Sequence, residues 1–199
     1  LGEASGTFSV VTGAGADTIT SGDGNDTIST GAGADLITIV TGGTDKITGG
    51  SGADDFVVDD RTSGVITITD FLSGTDDLSI LTFGTDVNDS VIGVTAAAAQ
   101  GAITDNDTTV ITLNASTTSA TTSGTETVAD FEDITDVHAY IAERYTASAS
   151  DEALIVLTDG TDSYVYYFLE ADTAATLDAD EITLIAVVQG SNDLSGDIT

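Results

Sequence analysis

The chain has 199 residues, of which 34 are acidic and only three are Lys or Arg, giving a formal net charge of −31. So anionic a chain repels itself unless cations intervene, and it lacks the basic face that nucleic acid or an anionic membrane surface requires. Cys is absent and His occurs once, which excludes a disulfide framework and the usual zinc shell. No apolar run approaches the roughly 20 residues of a membrane span. The chain opens at Leu1 without Met or a signal-like leader, so a processed terminus or the C-terminal piece of a longer protein is expected.

Phe8, Val10 and Val11 form a first strand candidate with nothing earlier in the chain able to cap it. From Thr12 to Val57 one phrase then repeats, Gly-x-Gly-x-Asp followed by β-formers. It reads TGAGADTIT, SGDGNDTIS, TGAGADLIT, an irregular VTGGTDKIT, and GGSGADDFV. Asp17, Asp26, Asp35, Asp45 and Asp54 keep steps of nine, nine, ten and nine, and Ile19, Ile28, Ile37, Ile47 and Phe56 each follow two positions later. A short fixed period predicts a stacked solenoid. Gly turns the backbone through positive φ and leaves carbonyl oxygens uncovered, and each Asp adds a hard anionic oxygen. The last three residues of each phrase form a short strand with the middle side chain inward. Each nonapeptide is then about half a coil, so alternate repeats stack. Two facing loops supply the six or more oxygens that Ca²⁺ prefers. A disordered acidic linker of this composition has no cause to place one apolar residue in every nine.

These repeats resemble the RTX (repeats-in-toxin) nonapeptide family, consensus GGxGxDxUx, whose fold is a parallel β-roll that binds Ca²⁺. The resemblance implies that the loop ending at Asp17 pairs with that ending at Asp35, Asp35 with Asp54, and Asp26 with Asp45 on the opposite edge. It implies carbonyl ligands from Gly13, Gly15, Gly22, Gly24, Gly31, Gly33, Gly50 and Gly52, and about three ions. Thr41 stands where a Gly is expected and the strand before it is one residue longer, which makes Asp26/Asp45 the weaker site.

Residues 65–80, VITITDFLSGTDDLSI, match the segment that follows the repeats in many RTX exoproteins. Val65, Ile66 and Ile68 read as a strand, Ser73 to Asp76 as a turn, and Phe71, Leu78 and Ile80 as cover for the open end of the roll. Asp70, Asp76 and Asp77 are either solvated turn carboxylates or ligands of a further ion. From about Phe83 the beat is gone. Strands are expected at 109–113, 153–158, 163–169 and 181–188, the middle two as a hairpin across Asp159 to Asp162. Phe131, Ile134, Val137, Ile141 and Tyr145 recur at helical spacing and predict a helix over 131–146. Ala96–Ala99 is a short helix candidate, and 114–127 reads as an exposed loop or edge strand. The expected architecture is mainly β: a parallel β-roll with its cap over 1–82, then an antiparallel β domain with one helix over 83–199.

The last 50 residues or so resemble the C-terminal domain that closes many RTX and surface-layer-like proteins. In that family the extreme C-terminus is an uncleaved address for type I secretion, and Asp193–Thr199 has the same small, acidic character.

Catalysis finds little support. His138 lies on the expected helix with no G-x-S-x-G elbow to serve. Asp178, Asp180 and Glu181 resemble half an EF-hand loop without its Gly and final Glu, and read as a turn. Paired carboxylates for glycoside chemistry lack an aromatic platform, and Tyr164, Tyr166 and Tyr167 sit in a strand. The expectation is therefore no enzyme, but a secreted, extracellular calcium-binding structural protein of the surface-layer or matrix-fibre kind. Such a protein would self-associate into a filament or lattice and engage the type I export machinery, without nucleic acid or membrane insertion. The alternative is the calcium-binding secretion module of a larger adhesin or exoenzyme.

Overall fold

The computed structural model describes residues 6–40, 42–59, 64–80, 90–92, 101–102, 109–114, 130–142, 145–146, 152–169, 178–192, 194 and 196–198. The chain forms two compact units. One comprises Leu1–Phe83 with Thr161–Ser163 and Ile185–Thr199, the other Gly84–Gly160 with Tyr164–Leu184.

The first unit is a parallel β-solenoid of about four turns. Each turn contributes one strand to each of two sheets. β1 (Ser9–Ala14), β3 (Thr27–Ala32), β5 (Asp45–Ser51) and β7 (Ile66–Ile68) stack in one, and β2 (Thr18–Thr20), β4 (Leu36–Ile39), β6 (Asp55–Val58) and β8 (Asp77–Ile80) in the other. The ladders are parallel and bring the repeated residues into rows, with Val10 beside Ile28 beside Ile47 beside Ile68, and Ile19 beside Ile37 beside Phe56 beside Leu78. From the second turn onward these side chains are buried, while their strand neighbours face outward or are half-buried, as a period of two demands.

Two details show how the interior tolerates an irregular repeat. Thr30 is fully buried and donates its hydroxyl to the Gly49 carbonyl at 2.8 Å, while Thr12 donates to the Thr30 carbonyl at 2.7 Å. These bonds satisfy polar groups that burial would otherwise leave costly. In the third turn the inward residue of β6 is Phe56 rather than Ile. Gly49 makes room for it, since a methyl there would lie 2.9 Å from the Phe56 ring and 2.6 Å from Asp54 Oδ2.

The end of the roll is closed by the far end of the chain. β15 (Ile182–Val188, with strands β9 to β14 given below) lays its second half in parallel on β7, with Ala186 facing Ile66 and Val188 facing Ile68. After a turn, Ile198 bridges to Leu78 in parallel on the other sheet. Both contacts have the same separation of 120 residues, so the described residues of 185–198 form a further coil in register with 65–78. Ile185, Ala186, Val188 and Leu194 are buried on this coil, and Phe71, Leu78 and Ile80 are buried beneath it. Ser163 Oγ donates to the Ser191 carbonyl at 2.8 Å and Gly190 N–H to Asp162 Oδ1 at 2.8 Å, which hold its turn.

In the second unit, β9 (Ser90–Ile92), β11 (Thr109–Asn114) and β13 (Glu152–Thr158) pair in parallel. β13 and β14 (Ser163–Leu169) are neighbouring antiparallel strands, as the Asp159 to Asp162 connection predicts. β10 (Gly101–Ala102) pairs in parallel with β12 (Tyr145–Thr146). The one helix among the described residues, α1, runs over Ile134–Ala142 and buries Val137 and Ile141. It is shorter than the spacing of apolar residues predicts. Asp130 and Asp133 take the amides of Glu132 and Thr135 on their carboxylates at 2.9 Å, so the chain is capped before it becomes helical. Phe131 instead stacks on Tyr164, with centroids 4.9 Å apart, and Tyr145 belongs to a strand. Asp178 to Glu181 forms the turn expected, with Glu181 Oε2 accepting from Asp178 N–H at 2.9 Å. The short helix candidate at 96–99 and nearly all of 114–127 lie outside the described residues.

Gly50 shows how tightly the coils approach. Its φ is +103°, and a Cβ there would lie 1.9 Å from the Gly31 carbonyl oxygen, whereas Gly74, with φ +75°, meets nothing within 4 Å. Either substitution to Ala carries the strain of left-handed backbone, about 1–3 kcal/mol. Gly50→Ala must also force two coils apart. Urea unfolding at saturating calcium should show Gly50→Ala losing clearly more stability than Gly74→Ala, and equal losses would contradict the stacking described.

Candidate metal centre

The aspartates of the repeat form two axial columns, one along each edge of the roll. Asp35 Oδ1 accepts the Asp17 amide at 2.8 Å, Asp54 Oδ1 the Asp35 amide at 3.0 Å, and Asp76 Oδ1 the Asp54 amide at 3.1 Å. On the other edge, Asp45 Oδ1 accepts the Asp26 amide and Asp26 Oδ1 the Phe8 amide, both at 2.8 Å. Each carboxylate thus reaches back to the preceding coil and fixes the register between them. Asp26, Asp35, Asp45, Asp54 and Asp76 are buried, and Asp17, in the first coil, is half-buried.

The glycines stack in the same way. A methyl at Gly31, Gly33, Gly50 or Gly52 would sit 1.7 to 2.2 Å from the carbonyl oxygen of Gly13, Gly15, Gly31 or Gly33 respectively. The Gly24 carbonyl meets Gly43 similarly at 2.3 Å. These carbonyls therefore point along the roll axis, into the gap between successive loops. The Gly22 amide donates to Asp26 Oδ2 at 3.3 Å within its own loop. Thr41, the irregular position, lies outside the described residues, and Gly42 and Gly43, with φ of +85° and +105°, make the bend beside it.

The second oxygens of the carboxylates differ between sites. Asp26 Oδ2 takes the Gly22 amide, and Asp76 Oδ2 takes the Leu72 amide at 2.8 Å. Asp35 Oδ2 and Asp54 Oδ2 are fully buried and have no partner. The residues that would supply the matching amides, Gly31 and Gly50, sit within the strand ladder of β3 and β5, and the Gly50 amide goes to Asp70 Oδ2. A buried anionic oxygen left bare costs several kcal/mol. Among the described residues no three carboxylate or imidazole groups converge on one point. A cation here would have to combine one or two carboxylate oxygens with backbone carbonyls, which is the hard, all-oxygen set that suits Ca²⁺.

Electrostatics point the same way. Burial raises the Asp54 carboxyl above the ordinary value; the Asp35 amide bond lowers it, and the charges of Asp76, Asp35 and Asp70 raise it further. Asp45 is likewise raised by burial, against the Asp26 amide bond that lowers it, with the Asp26 charge adding to the rise. At both positions burial first, and neighbouring negative charge after it, disfavours the ionised carboxylate.

Residues 9–37 and 39–60 match the family model of the RTX calcium-binding nonapeptide repeat, in four copies. The chain carries RTX repeats. Repeats of this family bind Ca²⁺, and proteins that bear them are typically secreted. No curated protein matches the chain. The RTX resemblance drawn from the glycine and aspartate spacing is thus shown for these residues, and the parallel roll with it. The aspartate column extends beyond the matched repeats to Asp76. Its signal is the spacing Gly74-x-Asp76-x-Leu78, the same as Gly15-x-Asp17-x-Ile19. Asp70 holds a different place: its two oxygens accept the Gly49 and Gly50 amides at 3.0 and 2.7 Å.

Asp35→Asn keeps an oxygen for the Asp17 amide but removes the bare anionic one. Calorimetric titration should show calcium affinity falling at least about tenfold, some 1.4 kcal/mol, with no change for the exposed Asp55→Asn. An unchanged binding curve for Asp35→Asn would contradict the column as a metal site. The raised carboxyls also set a pH dependence. Between the ordinary carboxylate value and the raised one, the folded ion-free roll holds protons that the unfolded chain has released, so its stability falls as pH rises through that window. Calcium competes with those same protons. Its affinity should weaken on acidification while the pH is still above about 4, the ordinary Asp value, and Asp54→Asn should flatten that dependence.

Proposed function

We propose that this chain is an extracellular structural protein, exported by type I secretion, that folds and self-assembles when it meets calcium outside the cell. The observation that carries this reading is the contrast between the two ends of the roll. At one end the coil 185–198 covers the last apolar layer. At the other, β1 and β2 are edge strands, Val10 and Ile19 are only half-buried among the described residues, and Val11 is 75 % exposed. An open parallel edge above an unfinished apolar layer is a template for another strand. When the strand comes from a second copy and the contact does not close on itself, a filament or lattice follows.

Calcium supplies the switch. The ligand oxygens exist as a set only in the folded coil, so ion binding and folding are one equilibrium. Where free calcium is scarce the chain stays unfolded and fit for export. Where it is abundant the roll forms.

The same open coil favours a second reading, in which further turns are contributed by preceding chain in a larger adhesin or exoenzyme. Sedimentation of the 199-residue chain in millimolar calcium separates the two. The structural reading expects large, calcium-dependent assemblies that disperse with chelator and that Val11→Lys, on the exposed edge strand, suppresses. A chain that folds with calcium yet stays monomeric would overturn self-assembly and support the module.

A further inference from the structure

We propose that Asp197 completes a further calcium site with the turn Leu72–Asp76, so that an ion locks the segment around Asp197 and Ile198 onto the roll as a further rung. Asp197 stands outside the repeats, more than 120 residues after the turn it meets. Its carboxylate shares features with those of the repeat aspartates, although the Ile198–Leu78 bridge sets it beside Asp77 rather than beside Asp76. It is 5 % exposed; its Oδ1 accepts the Gly74 amide at 2.8 Å, as Asp35 Oδ1 accepts the Asp17 amide; and its Oδ2 is buried without a partner. Among the described residues only Asp35, Asp54 and Asp197 hold such a bare buried oxygen. The first two lie in the repeat columns, and the third marks the same need at the capping end.

The backbone explains how a non-repeat segment arrives there. The Leu78 amide donates to the Asp197 carbonyl at 2.7 Å, and Ile198 continues the β2-β4-β6-β8 ladder by a parallel bridge. The Asp197 amide turns back on the Leu194 carbonyl at 3.1 Å, and Leu194 is fully buried. These contacts aim the carboxylate at the loop while hiding it from water. The turn below is built like a repeat loop, with Asp76 Oδ2 on the Leu72 amide and Asp76 Oδ1 on the coil beneath. Loop carbonyls between Leu72 and Thr75, with water, would fill the rest of the shell, as carbonyls do where few carboxylates meet. The ion would neutralise a bare anion in a chain of net charge −31. It would also strengthen the hold of Asp197 and Ile198 on the solenoid.

This inference rests on the roll itself binding calcium, and the test separates the two. In the full chain, Asp197→Asn keeps an oxygen for the Gly74 amide, and the far-UV circular dichroism at saturating calcium checks that the roll still forms. Equilibrium dialysis should count one ion fewer in Asp197→Asn than in the parent. Carboxypeptidase digestion gives a second readout: at saturating calcium, where both rolls are folded, the last residues should be released at least tenfold more slowly from the parent than from Asp197→Asn. An unchanged ion count, or a tail equally protected in the variant, would overturn the site while leaving the repeat sites standing. A parent chain that takes up no calcium at all would overturn both.

Discussion

One contact organises the roll: a carboxylate that spends one oxygen on the amide of the neighbouring coil and keeps the other dry. The first oxygen sets the register, because the Asp17, Asp35 and Asp54 amides each find the aspartate one turn further on. The second oxygen creates the demand for a cation. In Asp35 and Asp54 it is buried and has no hydrogen-bond partner among the described residues. Structural order and an unmet negative charge therefore come from the two oxygens of one functional group.

Glycine is the other half of this arrangement. Coils that approach until a Cβ would lie about 2 Å from a carbonyl leave no room for side chains on the inner curve of the loop. That closeness brings the carbonyls into the inter-loop gap where an ion can use them. It also brings acidic residues together, and in a chain of net charge −31 this opposes folding. Hydrophobic rows from Ile28 to Leu78 favour the coil, and charge opposes it. A divalent ion bound there would shift that balance by cancelling charge where it is densest.

The repeating part of this architecture was legible because its partners lie one turn away. A period of nine with a single slip puts Asp35 opposite Asp17, and Phe56 opposite Ile37, by counting alone. The closing coil was not legible in that way. Its strand, Ile185–Val188, has the composition of any buried strand, and nothing local says that it rests on Ile66–Ile68. The acidic tail, whose composition suggests an export address, ends as a rung on β8 through Ile198. Likewise the spacing of Phe131 and Tyr145 imitates a helical face, yet aspartate caps and a ring stack take both residues out of the helix. Short-range periodicity reports what a segment can become; tertiary contact decides which faces are used.

The most direct measurement of the central claim is amide hydrogen exchange at Asp17, Asp26, Asp35 and Asp54, followed with calcium and with chelator. Each of these amides is held only by a carboxylate of the next coil, so each reports whether the columns stand. With calcium all four should be protected together, and with chelator all four should exchange as in an unfolded chain. Protection that persists undiminished in chelator would show that the coils stack without an ion, and would contradict the account.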